Sequence, residues 1–175
     1  MCIRDRVTTA VSRALTKVPE LNAQYDPATE TITQFEHADI SIAVSTEEGL
    51  ITPIVKNADR LSPSEISAQI TDLATRAKAG TLKPEEFQGG TFTISNLGMF
   101  GISHFDAIIN PPQVAILAVG GATQQFIPDE NGNPKVATIL SLTLSADHRV
   151  ADGATSAKFC KELKTLLETP ALIFA

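Results

Sequence analysis

Leu144-Ser145-Ala146-Asp147-His148-Arg149-Val150-Ala151-Asp152-Gly153 joins two different periodicities. Before it, Ile139, Leu140, Leu142 and Leu144 form an apolar, largely alternating run that reads as a strand. After it, Phe159, Leu163 and Leu166 recur at helical spacing between Ala154 and Leu167, and Pro170 ends the pattern. His148 therefore stands where a strand gives way to a helix. Such a junction holds an imidazole on rigid backbone and lets it face a cleft.

The rest of the chain extends this strand-and-helix pattern in an α+β order. Val7, Val11, Ala14, Leu15 and Val18 lie on one helical stripe that Pro19 stops. Leu21–Glu30 is rich in turn formers and reads as a connection. Three β-like runs follow, Thr31–Phe35, Ile40–Ser45 and Leu50–Val55, with Glu47-Glu48-Gly49 as a hairpin turn between the last two. Ser62-Pro63-Ser64-Glu65 carries the signature of a capping box with proline at the first helical position, and Gly80 is a good stop. Lys83–Phe87 fits a short helical turn. Thr91–Ser95 is a β-branched and aromatic strand after Gly89-Gly90, and Val114–Val119 is an apolar run suited to a buried strand. Asp129-Glu130-Asn131-Gly132-Asn133-Pro134 is a strong turn between two antiparallel strands. Strands grouped in hairpins, rather than alternating with helices, give an α+β class.

A chain of 175 residues can bury one substantial core. Its 43% hydrophobic and 19% charged content is that of a globular protein. A net charge of −6 leaves no basic surplus for phosphates, which argues against a nucleic-acid binder. No apolar run is long enough to span a membrane. Cys2 and Cys160 form no CxxC pattern and read as free thiols of a reducing compartment. Residues 1–6 lack the apolar stretch of a signal peptide and do not continue the pattern that starts at Val7. They read as a non-native or artefactual start to a domain spanning 7–175.

Few residues have chemistry to offer. His148 has the titration range of a general base for a thiol or hydroxyl, yet position alone favours a structural or surface histidine. Asp152 either orients the local backbone or caps the following helix, and both roles are compatible. Ser95 ends a strand before the loop Asn96-Leu97-Gly98-Met99-Phe100-Gly101, where a hydroxyl can reach a pocket and donate to an oxyanion, yet spacing alone favours an ordinary strand-end serine. A Ser95–His148–Asp152 hydrolytic triad is disfavoured, because Thr93-Ile94-Ser95-Asn96-Leu97 is no GxSxG elbow and Asp152 is too near His148. The histidines, His37, His104 and His148, have no metal-ligand spacing. The glycine loop is neither a Walker nor a dinucleotide loop.

Taken together, these motifs resemble those of the 2-oxo acid dehydrogenase acyltransferases. Asp147-His148-Arg149-Val150-Ala151-Asp152-Gly153 is similar to the HxxxDG motif that this family shares with chloramphenicol acetyltransferase. Gly89–Gly101 looks like the family's second signature, and Ala107–Gln113 and Gly49–Val55 match two more. The likeness runs from about Val7 to the C-terminus, and its collinear order makes it specific. The loop Ser95–Gly101 looks most like the acetyl-specific branch of the pyruvate dehydrogenase complex.

The resemblance implies a chloramphenicol-acetyltransferase-like two-layer fold, with a mixed sheet packed by helices, lacking the family's N-terminal strand and helix. It implies acetyl transfer between dihydrolipoyl and coenzyme A thiols, with His148 as base, Ser95 as oxyanion donor and Asp152 as organiser. Asn96, Gly98, Met99 and Phe100 are implied for the substrate channel. Coenzyme A enters as substrate, the lipoyl group rides on a separate domain, and no metal is implied. The implied assembly is a homotrimer built into a cubic or dodecahedral core. Pyruvate dehydrogenase and dihydrolipoyl dehydrogenase would be engaged through upstream domains. The implied compartment is bacterial cytoplasm or mitochondrial matrix. The family's basic partner of the motif aspartate lies in the segment that this chain lacks. In the family, the histidine of one subunit meets the serine of its neighbour, so His148 and Ser95 should lie beyond hydrogen-bond reach within one chain. A succinyl or branched-chain transferase and a non-catalytic scaffold subunit are the alternatives, and the presence of His148 favours an enzyme over a scaffold.

Overall fold

The computed structural model describes residues 2–47 and 49–173. Its centre is a five-stranded mixed sheet ordered β6-β3-β7-β8-β9. These strands are β3 (Ile40–Ile42), β6 (Ile54–Val55), β7 (Phe92–Asn96), β8 (Ala115–Pro128) and β9 (Pro134–Ala146). β7 runs parallel to both β3 and β8, while β6 and β9 are antiparallel to their neighbours. Two hairpins stand outside this sheet: β1 (Ala23–Asp26) with β2 (Thr31–Gln34), and β4 (Val44–Thr46) with β5 (Gly49–Ile51). Three α-helices complete the fold, α1 (Ile3–Lys17), α2 (Pro63–Lys78) and α3 (Gly153–Glu168).

The core forms where the sheet and helices share apolar faces. Val7, Val11 and Leu15 of α1, Ile66 and Ile70 of α2, and Phe159 and Leu163 of α3 close over Ile40, Phe92, Ile94 and Leu117 of the sheet. Phe92 and Phe159, both fully buried, pack ring against ring at 5.6 Å between centroids. Beside them lies a polar seam. Buried Gln113 joins Ser41 to Thr93, and Thr91 donates to Asn22, so that these five side chains of the seam are all partnered.

Helix α2 starts where its capping box predicts. Glu65 and Ser62 exchange hydrogen bonds at the head of α2, and Pro63 stands at its first position. The Asp129 carboxylate accepts the N–H groups of Asn131 and Asn133, closing the β8–β9 turn.

Several boundaries differ from the sequence reading, each for a local reason. α1 begins at Ile3, not Val7, because buried Asp5 accepts a hydrogen bond from Ser67 of α2 and pairs with Arg4. The stretch Leu21–Glu30 contains strand β1, folded back on β2 by Asp26, whose carboxylate holds Ala28 and Thr29. Ile40–Ser45 and Leu50–Val55 each split in two. Pro53 offers no N–H, and its carbonyl takes the Ile42 N–H, while Ala43 bonds across to Ile94, so the chain peels away into the β4–β5 hairpin. Its turn lies between paired Thr46 and Gly49, with Glu48 outside the described residues. The strand expected at Val114–Val119 runs on to Pro128 as a long ribbon with β9.

Candidate active site

The turn carrying His148 is built by its neighbours. β9 ends at Ala146, and the Asp147 N–H bonds to the carbonyl of Val114, the residue before β8. The Asp147 carbonyl accepts from both Val150 and Ala151, winding the chain into one tight turn. The Asp147 carboxylate accepts from the Arg149 backbone N–H and from its guanidinium, at 2.6–3.1 Å. Those bonds hold the Asp147 carboxyl below the usual carboxylate range, despite partial burial. His148 projects from this turn with an exposed side chain.

Asp152 ends the turn as the N-cap of α3, accepting the Thr155 N–H at 2.7 Å. That bond is the main reason its carboxyl is held low; the charge of nearby His148 adds a smaller share. The role the structure shows for Asp152 is the cap. Among the described residues no cation forms an ion pair with it.

Ser95 is half-buried near the end of β7 and lines an open cleft of about 660 Å³ with largely apolar walls. Asn96, Gly98, Met99 and Phe100 line the same cleft. The Asn96 side chain accepts the Gly98 N–H at 2.9 Å, which curls the loop into a single 3-10 turn over Gly98–Phe100. Met99 is 87% exposed and Phe100 66%, so two large apolar side chains stand at the cleft rim.

A feature that the sequence reading passed over makes this loop possible. Gly120 and Gly121 form a bulge in β8, where the register with β9 shifts between Val119 and Ala122. A Cβ on Gly98 would lie 2.7 Å from the Gly120 carbonyl oxygen, and a Cβ on Gly120 would overlap the Ser103 carbonyl. The loop thus lies directly on bare backbone. The signal was present: a glycine pair inside an apolar strand marks a close backbone approach.

The two halves do not meet. Ser95 pairs with Ala118, and Ala118 with Thr143, so Ser95 is two strands from β9. Ladder spacing then puts Ala146, where β9 ends, roughly 14 Å from Ser95 in Cα distance. His148 is not among the residues lining the Ser95 cleft. The other histidines have local partners: His37 with Asp59 at 3.1 Å and His104 with Thr143 at 3.3 Å. Among the described residues no cluster of His, Cys, Asp or Glu could hold a metal, and no helix is long and apolar enough to cross a membrane.

Residues 2–175 match the family model for the 2-oxoacid dehydrogenases acyltransferase catalytic domain. The chain belongs to this acyltransferase family. It is 49% identical over 172 residues to the dihydrolipoyllysine-residue acetyltransferase component of the mitochondrial pyruvate dehydrogenase complex of Schizosaccharomyces pombe. That match covers 97% of this chain and 35% of the relative. The chain thus spans about a third of that relative's length.

Solved structures agree with the acyltransferase fold. The Azotobacter vinelandii dihydrolipoamide acetyltransferase superposes with a TM-score of 0.93 at 33% identity, over 99% of this chain and 71% of its own. It was solved to define the roles of a serine, a histidine and an asparagine in its catalytic mechanism. The cubic core of the pyruvate dehydrogenase multienzyme complex matches equally well. Chloramphenicol acetyltransferase shares the fold at a TM-score of 0.59 and 16% identity.

Proposed function

We propose that this acyltransferase domain moves an acetyl group between the thiols of dihydrolipoamide and coenzyme A. His148 removes the thiol proton of coenzyme A. The thiolate attacks the carbonyl of the acetyl-dihydrolipoyl thioester, and the resulting oxyanion accepts a hydrogen bond from Ser95. Collapse breaks the bond to the dihydrolipoyl sulfur, which takes back the proton held by His148. One such oxyanion donor contributes about 3 kcal/mol. Both thiols meet at one carbonyl, so no acyl-enzyme is needed. Asp152 organises the turn through its cap. Asn96, Gly98, Met99 and Phe100 line the route to Ser95.

The observation that carries this reading is the separation of His148 from the Ser95 cleft within one chain. An exposed imidazole lies at one end of the sheet, and a serine lies in a cleft at another level. A trimer in which one subunit's His148 approaches its neighbour's Ser95 completes the site. The exposed apolar side chains of Met99, Phe100, Ile102 and Ile108 support such an interface. The likeness to a cubic core supports assembly of trimers into a larger particle, to which separate lipoyl domains bring substrate. Pyruvate dehydrogenase and dihydrolipoyl dehydrogenase would join through domains outside this chain. Relatives from a mitochondrion and from Rickettsia support a mitochondrial matrix or bacterial cytoplasm.

The test is acetyl transfer from acetyl-CoA to dihydrolipoamide, with His148→Ala beside the parent. A loss of about a hundredfold or more in kcat is expected for removal of a general base. Equal rates would remove His148 from the mechanism, and preference for succinyl- or branched acyl-CoA would reassign the substrate.

A further inference from the structure

The His148 side chain makes no hydrogen bond to any described residue, so its placement depends on the turn that bears it. That turn is tied at one outlying point. The Arg149 guanidinium, forked onto Asp147, lies 4.2 Å from the centre of the Tyr25 ring. Tyr25 is half-buried on β1, outside the central sheet, and is fixed in turn. Its N–H bonds to the Pro112 carbonyl at 2.8 Å, the Val114 N–H bonds to Ala23, and Gln24 bridges to Gln113. Asp147 closes the circuit through its N–H to the Val114 carbonyl.

The residues on either side of His148 are therefore both anchored: Asp147 to Val114, just before β8, and Arg149 to β1. A guanidinium held over an aromatic face while gripping a carboxylate has restricted rotational freedom, and lysine cannot reproduce both contacts.

We infer that Arg149 and Tyr25 are positioning residues for His148, clamping its turn against the β1–β2 hairpin. This inference rests on the reading of His148 as the base. The clamp touches no reacting atom. It fixes where the imidazole stands relative to the subunit that supplies Ser95, and displacement of about 1 Å at a reacting group can lower a rate by about a hundredfold.

The test compares Arg149→Ala, Tyr25→Leu and Tyr25→Phe with the parent in the acetyl-CoA and dihydrolipoamide assay. The His148 ring C–H signals are followed by NMR in the same samples. Arg149→Ala and Tyr25→Leu should lower kcat about tenfold or more, with KM for both substrates held within about twofold. Tyr25→Phe, which keeps the ring face, should restore most of the kcat lost in Tyr25→Leu. The His148 ring should give one narrow set of signals in the parent and Tyr25→Phe, and broadened or multiple signals in the other two variants. The inference is overturned if folded Arg149→Ala and Tyr25→Leu keep the parent kcat. It is also overturned if the loss appears in KM, or if Tyr25→Phe is as impaired as Tyr25→Leu. A parent without transfer activity would defeat the assignment of the base. The NMR comparison then decides the clamp alone, and unchanged His148 signals in Arg149→Ala would refute it.

Discussion

Ser95 lies in the central sheet on β7, and His148 lies outside that sheet, in the turn after β9. Ser95 is level with Thr143 across two strands, whereas His148 lies beyond Ala146, in the turn that follows β9. Within the chain, His148 is not among the residues that line the Ser95 cleft.

The loop behind Ser95 depends on bare backbone at Gly120. Gly120→Ala should destabilise the chain by about 1–3 kcal/mol, because its methyl group meets the Ser103 carbonyl, which has little room to yield. Gly121→Ala, whose Cβ would sit 3.2 Å from the Gly98 oxygen, should cost less. Urea denaturation of the two variants checks the order, and equal stability would show that the loop moves freely off the bulge.

Phe159 ties α3 to β7. It lies on α3, the helix that Asp152 caps, and packs on Phe92 of β7, the strand that bears Ser95. Phe159→Ala should remove about 3–5 kcal/mol of stability. Thermal and chemical denaturation measure it; a loss under about 1 kcal/mol would mean that the helix and strand do not depend on this contact.

Acid sensitivity should reside partly in the Arg76–Glu86 pair. Hydrogen bonds from Arg76 and from the Lys83 N–H lower the Glu86 carboxyl to about 2. A carboxylate depressed on folding adds stability that is present above its ordinary value of 4.5 and is lost as pH falls toward about 2. The stability of the parent should therefore decline across that window more steeply than that of Glu86→Gln. Parallel pH curves would remove this pair from the acid response.

How much of this was legible in the sequence follows from which signals are local. The α2 capping box, the Asp129 turn and the strand-to-helix junction at His148 are fixed by residues a few positions apart, and each was readable. Strand β1 was hidden because Asp26-Pro27 made its surroundings look like a connection. The splits at Ala43 and Thr52-Pro53 arise from hydrogen bonds to Ile94 and Ile42, set by tertiary pairing. At the site, His148, Asp152 and the Ser95 loop carried a motif. The Gly120–Gly121 bulge and the stack of Arg149 on Tyr25 did not, because each joins segments distant in the chain.

The central claim is that a working site takes His148 from one subunit and Ser95 from another. Its most direct measurement is acetyl transfer by trimers co-assembled from equal amounts of His148→Ala and Ser95→Ala chains. Each variant alone should fall at least about a hundredfold below the parent. In mixed trimers, random pairing across a head-to-tail interface leaves about a quarter of the sites with both residues intact, so about a quarter of the parent rate should return. Mixed trimers no more active than either variant alone would contradict the shared site.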